Sequence, residues 1–293
     1  MTNNTQSNAN EQPLISVVMP VCNTPKEYLK DAIDSILVQT HTNFEFIIID
    51  DGSSVNIPDE VINSYNDERI VYLKNETNSG VSKTLNRGIE LAKGEYIARM
   101  DSDDISMPER FEKQIEFFNT NPEISILGSW IEKFPKKKII KNDTKVTILS
   151  MLHRCQLAHP TVMFRATVFE DKNLRYNPEF DKVEDYELWS RCIQSVKIAN
   201  LPEVLLKYRE HSNNESKIHR KKQKEWSYKI QQNILNYLTD DVKLQENIMK
   251  LVCSTAIKES NFIEKLFFIK NIVPYKIINI LGFQIYIKKE NRG

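Results

Sequence analysis

The chain has 293 residues, of which 40% are hydrophobic, enough for one large domain with an appendage. Its 40 basic and 40 acidic residues cancel, which removes the usual electrostatic argument for a nucleic-acid partner. The four cysteines show neither CxxC nor zinc-site spacing, so we expect reduced thiols in a cytoplasmic protein.

Residues 1–13 are polar and lack the charged start and apolar core of a signal peptide. They are predicted to form a disordered N-terminal tail. Nowhere does the sequence reach the roughly 20 uninterrupted apolar residues that a membrane-spanning helix needs.

The next hundred residues alternate between strand and helix patterns. The first helix is predicted to open with a capping box formed by Thr24 and Glu27. Near-continuous apolar strands between amphipathic helices predict an α/β domain with a mainly parallel central sheet, covered by helices on both faces. The predicted strands are 15–21, 44–50, 69–74 and 95–100.

Two of these strands end in acidic clusters, Asp50-Asp51 and Asp101-Ser102-Asp103. Because ligands bind beyond the carboxyl ends of parallel strands, we expect both clusters to face one crevice. Carboxylates two residues apart point to the same side and suit Mg²⁺ or Mn²⁺, which could neutralise a diphosphate leaving group. The alternatives are a solvated acidic loop at 101–103 and an ordinary turn at 50–53.

Residues 123–183 are predicted to add antiparallel strands to the sheet, and residues 184–193 to form a helix. Glu184 and Asp185 open that helix, either as acids that complement its dipole or as a general base. A helix N-terminus is expected to lower a carboxylate pKa. His159 and His211 could each be a site residue or a structural histidine.

Taken together and in order, seven segments closely resemble the family-2 glycosyltransferases, which have the GT-A fold. The resemblance runs from Ile15 to about His211, and residues 14–215 are therefore predicted to be the catalytic domain. The segments are SVVMPVCN, FEFIIIDDGSS, NSGVSKTLNRGIELAKGEYIARMDSDD, SMPERFEKQ, HPTVMFR, VEDYELWSR and YREHS.

The resemblance implies a metal-dependent, inverting transfer of a sugar from a nucleotide-diphosphate sugar, most commonly a UDP-sugar. The acceptor would be a hydroxyl of a glycan or a lipid-linked saccharide. Bacterial members of the family often build lipopolysaccharide, lipooligosaccharide or capsule, which by analogy suggests cell-surface polysaccharide synthesis.

The same resemblance assigns roles to residues. Asp185 is expected to be the catalytic base, and Glu184 to orient it or contact the sugars. Asp103 is expected to bind Mn²⁺ or Mg²⁺ directly, with Asp101 and His211 as further ligands and Asp104 not a ligand. The residues expected to bind the donor are Pro20, Val21, Asn23, Asp50, Asp51, Asp101, Ser102 and His159.

Residues 216–293 are predicted to form a helical C-terminal extension. One interpretation is a lid or dimer contact that packs on the catalytic domain. The other is peripheral attachment to the cytoplasmic face of the inner membrane, through the basic run 219–224 and the apolar stretch 262–287.

The sequence also bears on rival functions. A dinucleotide-dependent oxidoreductase needs a glycine-rich turn after the first strand, and the turn at 21–25 has no glycine. A non-catalytic nucleotide-sugar or carbohydrate-binding protein is the other alternative. It predicts loss of the metal and base positions, whereas Asp103, Asp185 and His211 are all present.

Overall fold

The computed structural model describes residues 12–171, 173–211, 214, 218–253, 278–280 and 283–285. Residues 1–11 of the predicted N-terminal tail lie outside this part, as does most of the apolar stretch 262–287. Within the part described, no helix combines the length and hydropathy that crossing a bilayer requires.

The first half of the chain alternates strands and helices, and the predicted strands are found within a residue or so of their expected bounds. The elements are β1 (Ile15–Val21), α1 (Lys26–Leu37), β2 (Phe44–Asp50), α2 (Ile57–Ile62), β3 (Ile70–Lys74), α3 (Val81–Leu91), β4 (Tyr96–Arg99), β5 (Ile105–Ser106) and α4 (Arg110–Thr120).

The second half adds longer strands and the C-terminal helices. The elements are β6 (Ile124–Phe134), β7 (Lys138–Ile140), α5 (Ile148–His153), β8 (Met163–Arg165), α6 (Glu184–Cys192), β9 (Lys197–Arg209), α7 (Arg220–Leu238), α8 (Val242–Cys253) and the antiparallel pair β10 (Ile278–Ile280) and β11 (Phe283–Ile285).

One mixed sheet organises the fold, with strand order β3-β2-β1-β4-β8-β6-β9-β5 and β7 beside β6. Strands β1 to β4 run parallel, as predicted. Strand β8 is antiparallel to both β4 and β6, also as predicted, but β6 and β9 pair in parallel. Strand β9 lies outside the addition predicted at 123–183, and its parallel pairing with β6 joins segments about 70 residues apart.

Two apolar clusters cover the two faces of the sheet. Alternation along β1 sends Val17 into one cluster with helices α1 and α4, and Val18 into the other with α3 and α6. Helix α7 joins the second cluster through Ile230, Ile234 and Leu235. The sheet is thus buried on both faces, which leaves its edge at the carboxyl ends of the parallel strands for a ligand.

Candidate active site

The loops that follow β1, β2 and β4 meet at one edge of the sheet and are tied together by hydrogen bonds. The backbone N–H of Asn23 donates to Ser53 Oγ at 2.9 Å, and the N–H of Ser54 donates back to Asn23 Oδ1 at 2.9 Å. Thr24 Oγ1 lies 2.6 Å from Ser102 Oγ. The two acidic clusters therefore share one cleft, as the sequence predicted.

The capping box expected at Thr24 and Glu27 was wrong. Helix α1 begins at Lys26, its N-cap residue is Pro25, and no side chain caps it. Thr24 is buried and makes its hydrogen bond across the cleft to Ser102. Thr24 thus bonds to Ser102 and not to the backbone of helix α1, as a capping box would require.

The predicted donor residues around β1 and β2 play unequal parts. Val21 is fully buried in the core, so it offers the cleft only its main chain, whose carbonyl accepts from the N–H of Asp51 at 2.8 Å. Pro20, beside it on β1, is partly exposed. Asp50 Oδ1 accepts from the N–H of Ser53 at 3.0 Å and so stabilises the turn.

Asp51 holds the neighbouring loop in place. Its Oδ1 accepts from Asn75 Nδ2 at 2.7 Å and from the N–H and hydroxyl of Ser79 at 2.9 Å, and its Oδ2 accepts from the N–H of Gly80 at 2.9 Å. Burial raises the pKa of Asp51, but these hydrogen bonds outweigh it, so the pKa lies below its ordinary value. The carboxylate of Asp51 is therefore ionised, and its hydrogen bonds hold residues 75–80 in place.

Gly52 allows the close approach that these hydrogen bonds require. Its φ is +68°, and an added Cβ would lie 2.4 Å from the backbone nitrogen of Asn78. A side chain at this position would push the two loops apart.

The cluster after β4 brings three carboxylates together, because Asp101, Asp103 and Asp104 each offer an oxygen within 4.8 Å of the others. Asp103 Oδ2 lies 2.8 Å from Nε2 of His211, which follows the end of β9, although the two residues are 108 positions apart in the sequence. Burial, together with Asp101, raises the pKa of Asp103, while His211 opposes that rise. Asp103 thus lies beside both Asp101 and His211, the other two residues predicted to hold a metal, while Asp104 completes the carboxylate cluster.

Asp104 and Arg209 hold this cluster in position. The N–H of Arg209 donates to Asp104 Oδ1 at 2.8 Å, and Arg209 Nε donates to the carbonyl oxygen of Asp103 at 2.7 Å. The guanidinium also pairs with Asp31 at 2.7 Å and stacks on Tyr28. Asp104 is almost fully buried and supports the loop. The role of Arg209 was not predicted from the sequence.

Glu184 and Asp185 open helix α6 as predicted, but their pKa values move in the opposite direction from the one expected. Burial and the neighbouring Asp185 raise the pKa of Glu184 to about 7. Burial also raises the pKa of Asp185, although its Oδ1 accepts from the N–H of Tyr186 at 2.7 Å. Desolvation therefore outweighs the helix N-terminus at this site.

His159 sits in an aromatic cluster beside the acid pair. Its Nε2 lies 2.8 Å from Tyr176 Oη, and its ring packs edge-on against Trp189 with centroids 5.9 Å apart. Burial, helped by the charge of Arg99, holds the pKa of His159 well below its usual value. The imidazole is therefore neutral.

Arg99, the last residue of β4, lies between these groups and was missed by sequence reasoning. Its side chain is buried, and its Nη2 pairs with Asp101. The signal in the sequence is a lone arginine within the apolar run EYIARM, where an unpaired charge would be costly.

Helix α7 supports the turn that leads into the acid pair. Gln223 Nε2 donates to the carbonyl oxygen of Lys182 at 2.9 Å, and Lys222 Nζ lies 3.0 Å from Asp181 Oδ2. Lys182 has a φ of +76°, a left-handed conformation that needs such support.

Comparison with solved structures identifies the fold. S. aureus TarS (residues 1–349), in complex with UDP-GlcNAc, superposes with a TM-score of 0.65 at 18% identity, over 89% of this chain and 81% of the TarS chain. The shared fold is the GT-A fold, with its curled mixed sheet flanked by helices.

Sequence comparison then defines the family. Residues 16–182, more than half of the chain, match Glycosyl transferase family 2. An uncharacterized glycosyltransferase of Methanocaldococcus jannaschii is 36% identical over 232 residues, which cover 74% of this chain and 78% of the relative. An uncharacterized glycosyltransferase of Haemophilus influenzae is 31% identical over 270 residues, which cover 86% of this chain and 82% of the relative. The chain belongs to glycosyltransferase family 2, and it is a glycosyltransferase.

Proposed function

We propose that this enzyme is a metal-dependent inverting glycosyltransferase that moves a sugar from a nucleotide-diphosphate sugar to a hydroxyl group. The observation that carries the proposal is the convergence of Asp101, Asp103 and His211 in the cleft that also contains the Asp50-Asp51 turn. A metal site beside a nucleotide site suits transfer from a diphosphate donor, because the ion can neutralise charge on the leaving group.

The chemistry of the donor set fits Mn²⁺ or Mg²⁺. Asp101 and Asp103 would supply carboxylate oxygens and His211 an imidazole nitrogen, a combination of oxygen and nitrogen ligands that suits Mn²⁺ in particular. The Arg209 contacts hold the loop that presents Asp103. When bound, the ion would neutralise the negative charge that develops on the departing diphosphate.

A UDP-sugar is the proposed donor. TarS, which shares the fold, has been crystallised with UDP and with UDP-GlcNAc. The Asp50-Asp51 turn, Pro20 and Asn23 would form the nucleoside end of the site, and Ser102 and His159 would lie toward the transferred sugar. Asp51 Oδ2 accepts one hydrogen bond among the described residues, which leaves capacity for an N–H group of a nucleobase.

Asp185 would act as the general base and Glu184 would orient it. Asp185 takes the proton of the acceptor hydroxyl as the acceptor oxygen bonds to the anomeric carbon. The bond from that carbon to the diphosphate oxygen breaks, and its electron pair leaves with the nucleoside diphosphate. Attack on the face opposite the leaving group inverts the configuration. The raised pKa of Asp185 brings a carboxylate base closer to the working pH.

The proposed acceptor is a glycan or lipid-linked saccharide of cell-surface polysaccharide synthesis, met at the cytoplasmic face of the inner membrane. The start of α7 supports a peripheral contact, because Arg220, Lys221, Lys222 and Lys224 are exposed there. Flotation with vesicles containing anionic lipid tests this contact. Flotation unchanged by replacing Arg220, Lys221 and Lys224 with glutamine would rule it out.

A panel of nucleotide sugars, assayed for release of nucleoside diphosphate in Mn²⁺ and in EDTA, tests the central proposal. We expect release from a UDP-sugar in Mn²⁺, loss in EDTA and recovery when Mn²⁺ is restored. Full activity in EDTA would refute the metal assignment. A product that keeps the anomeric configuration of the donor sugar, as seen by NMR, would refute inversion.

A further inference from the structure

Two arginines on the central sheet, the partly buried Arg165 and the buried Arg99, differ in how many of their N–H groups are hydrogen-bonded. Arg165, on β8, spends its N–H groups on anchoring contacts: Nε donates to the carbonyl oxygen of Ile124 at 2.9 Å, Nη2 to that of Phe118 at 2.8 Å, and Nη1 to Tyr96 Oη at 3.0 Å. Arg99 pairs only with Asp101 through Nη2 among the described residues, and its Nε and Nη1 are buried without a partner.

This difference is informative because a buried guanidinium with unpartnered N–H groups is costly to the fold. A residue retained for stability alone would be expected to satisfy those groups, as Arg165 does. Arg99 forms one ion pair, with Asp101, and in the buried, poorly solvated interior its charge also acts on other acids nearby.

The fold directs that charge toward helix α6. Along β4, Ile97 belongs to the second apolar cluster and Ala98 to the first, so alternation places Arg99 on the face covered by α6. Tyr176 and Trp189 pack over this face, and Glu184 and Asp185 open the helix there.

We propose, resting on the function proposed above, that Arg99 is a positioning residue that links the metal cluster to the acid pair. It holds Asp101 through one N–H group, and its remaining charge keeps Asp185 in the anionic form that can accept the proton of the acceptor hydroxyl. It acts through these carboxylates.

The electrostatics around the acid pair agree with this geometry. Burial raises the pKa of Asp185 and of Glu184, and Arg99 opposes the rise at both. The groups that act on the pair from the surrounding elements are Arg99 on β4, Asp101 after it, Cys155 after α5, Tyr176 and Asp181 before α6, and the N–H of Tyr186 on α6 itself. Arg99 is the one cation in that set, so no other side chain in it can replace its effect.

The test is Arg99→Met, with Arg165→Met as the matched control. Thermal unfolding of both is measured in EDTA, and the pH–rate profile of transfer is measured from pH 5.5 to 9 with metal present. Removing one partner of a buried ion pair is destabilising, because the carboxylates beside it lose their counter-charge. We therefore expect both variants to melt below the wild type, and the pH–rate profile to distinguish them.

In transfer, Arg99→Met should move the acidic limb of the profile upward by about one pH unit or more. On the acidic limb, its rate should fall by roughly tenfold for each pH unit of that shift, and it should recover toward the wild-type rate at alkaline pH. Arg165→Met should melt lower and keep the wild-type profile, because it loses three anchoring hydrogen bonds far from the acid pair.

An unchanged profile for Arg99→Met, or a loss of rate that is the same at every pH, would overturn the inference. If Arg99→Met fails to fold, Arg99→Gln also removes the charge and is judged by the same criteria. Asp185→Asn is measured alongside: if it stays active, the proposed base is wrong. If it is inactive while Arg99→Met keeps the wild-type profile, only the inference about Arg99 fails.

Discussion

Glu184→Gln should stabilise the enzyme at alkaline pH and leave its stability at acidic pH unchanged. The pKa of Glu184 is raised from an ordinary value of 4.5 to about 7 by burial and by Asp185. A carboxyl whose pKa is higher in the folded state favours folding while it is protonated, below pH 4.5. That advantage is lost as the pH rises through 7. Glutamine resembles the protonated form and cannot ionise.

The magnitude follows from the same pKa values. The interval from 4.5 to about 7, at about 1.4 kcal/mol per pH unit, corresponds to about 3 kcal/mol. Glu184 keeps part of its surface in water, so we expect about 2 kcal/mol at pH 8. For a domain of this size, that amounts to an increase in Tm of roughly 4 to 8 °C.

Thermal unfolding in EDTA at pH 4.5 and pH 8 measures the effect. The control is Glu179→Gln, which removes an exposed carboxylate five residues earlier. We expect the Tm difference between Glu184→Gln and the wild type to be near zero at pH 4.5 and clearly positive at pH 8. If the Tm of Glu184→Gln at pH 8 equals or falls below that of the wild type, burial of the ionised Glu184 carboxylate does not destabilise the fold.

Three further predictions concern the cleft. Asp185→Asn should lower transfer by at least about 1,000-fold while keeping donor affinity, measured by calorimetry, within a few-fold; retained transfer would place the base elsewhere. Asp103→Asn and His211→Gln should each raise the Mn²⁺ concentration for half-maximal activity by roughly tenfold or more, and an unchanged metal titration would contradict their role. Asp51→Asn should lower the unfolding free energy, measured in urea, by about 2 to 4 kcal/mol, because the amide NH₂ group would face a backbone N–H that now donates to the carboxylate. A loss below about 0.5 kcal/mol would show that the loop does not depend on this carboxylate.

Local pattern was sufficient to predict the parallel half of the sheet and the shared cleft. The apolar runs 15–21 and 44–50 became β1 and β2 with those bounds. Strand ends in a parallel sheet lie at one edge, so the positions of the two acidic clusters followed from the strands alone.

The features that escaped prediction depend on long-range packing. The parallel pairing of β6 with β9 leaves no periodic trace in either segment. Thr24 fits a local capping pattern, but its partner is Ser102, 78 residues away. The raised pKa of Asp185 depends on how deeply α6 is buried, which a helix N-terminal pattern does not reveal.

The contact between Asp103 and His211, and the one between Asp31 and Arg209, also bear on how the chain acquires activity. These pairs span 108 and 178 positions in the sequence. Bringing such distant segments together is slow, because the chain loses loop-closure entropy before the stabilising contacts form. During synthesis, the first hundred residues would leave the ribosome well before His211 exists. In a nascent chain, the proposed nucleotide end of the site is therefore expected to form before the proposed metal ligands Asp103 and His211 can meet.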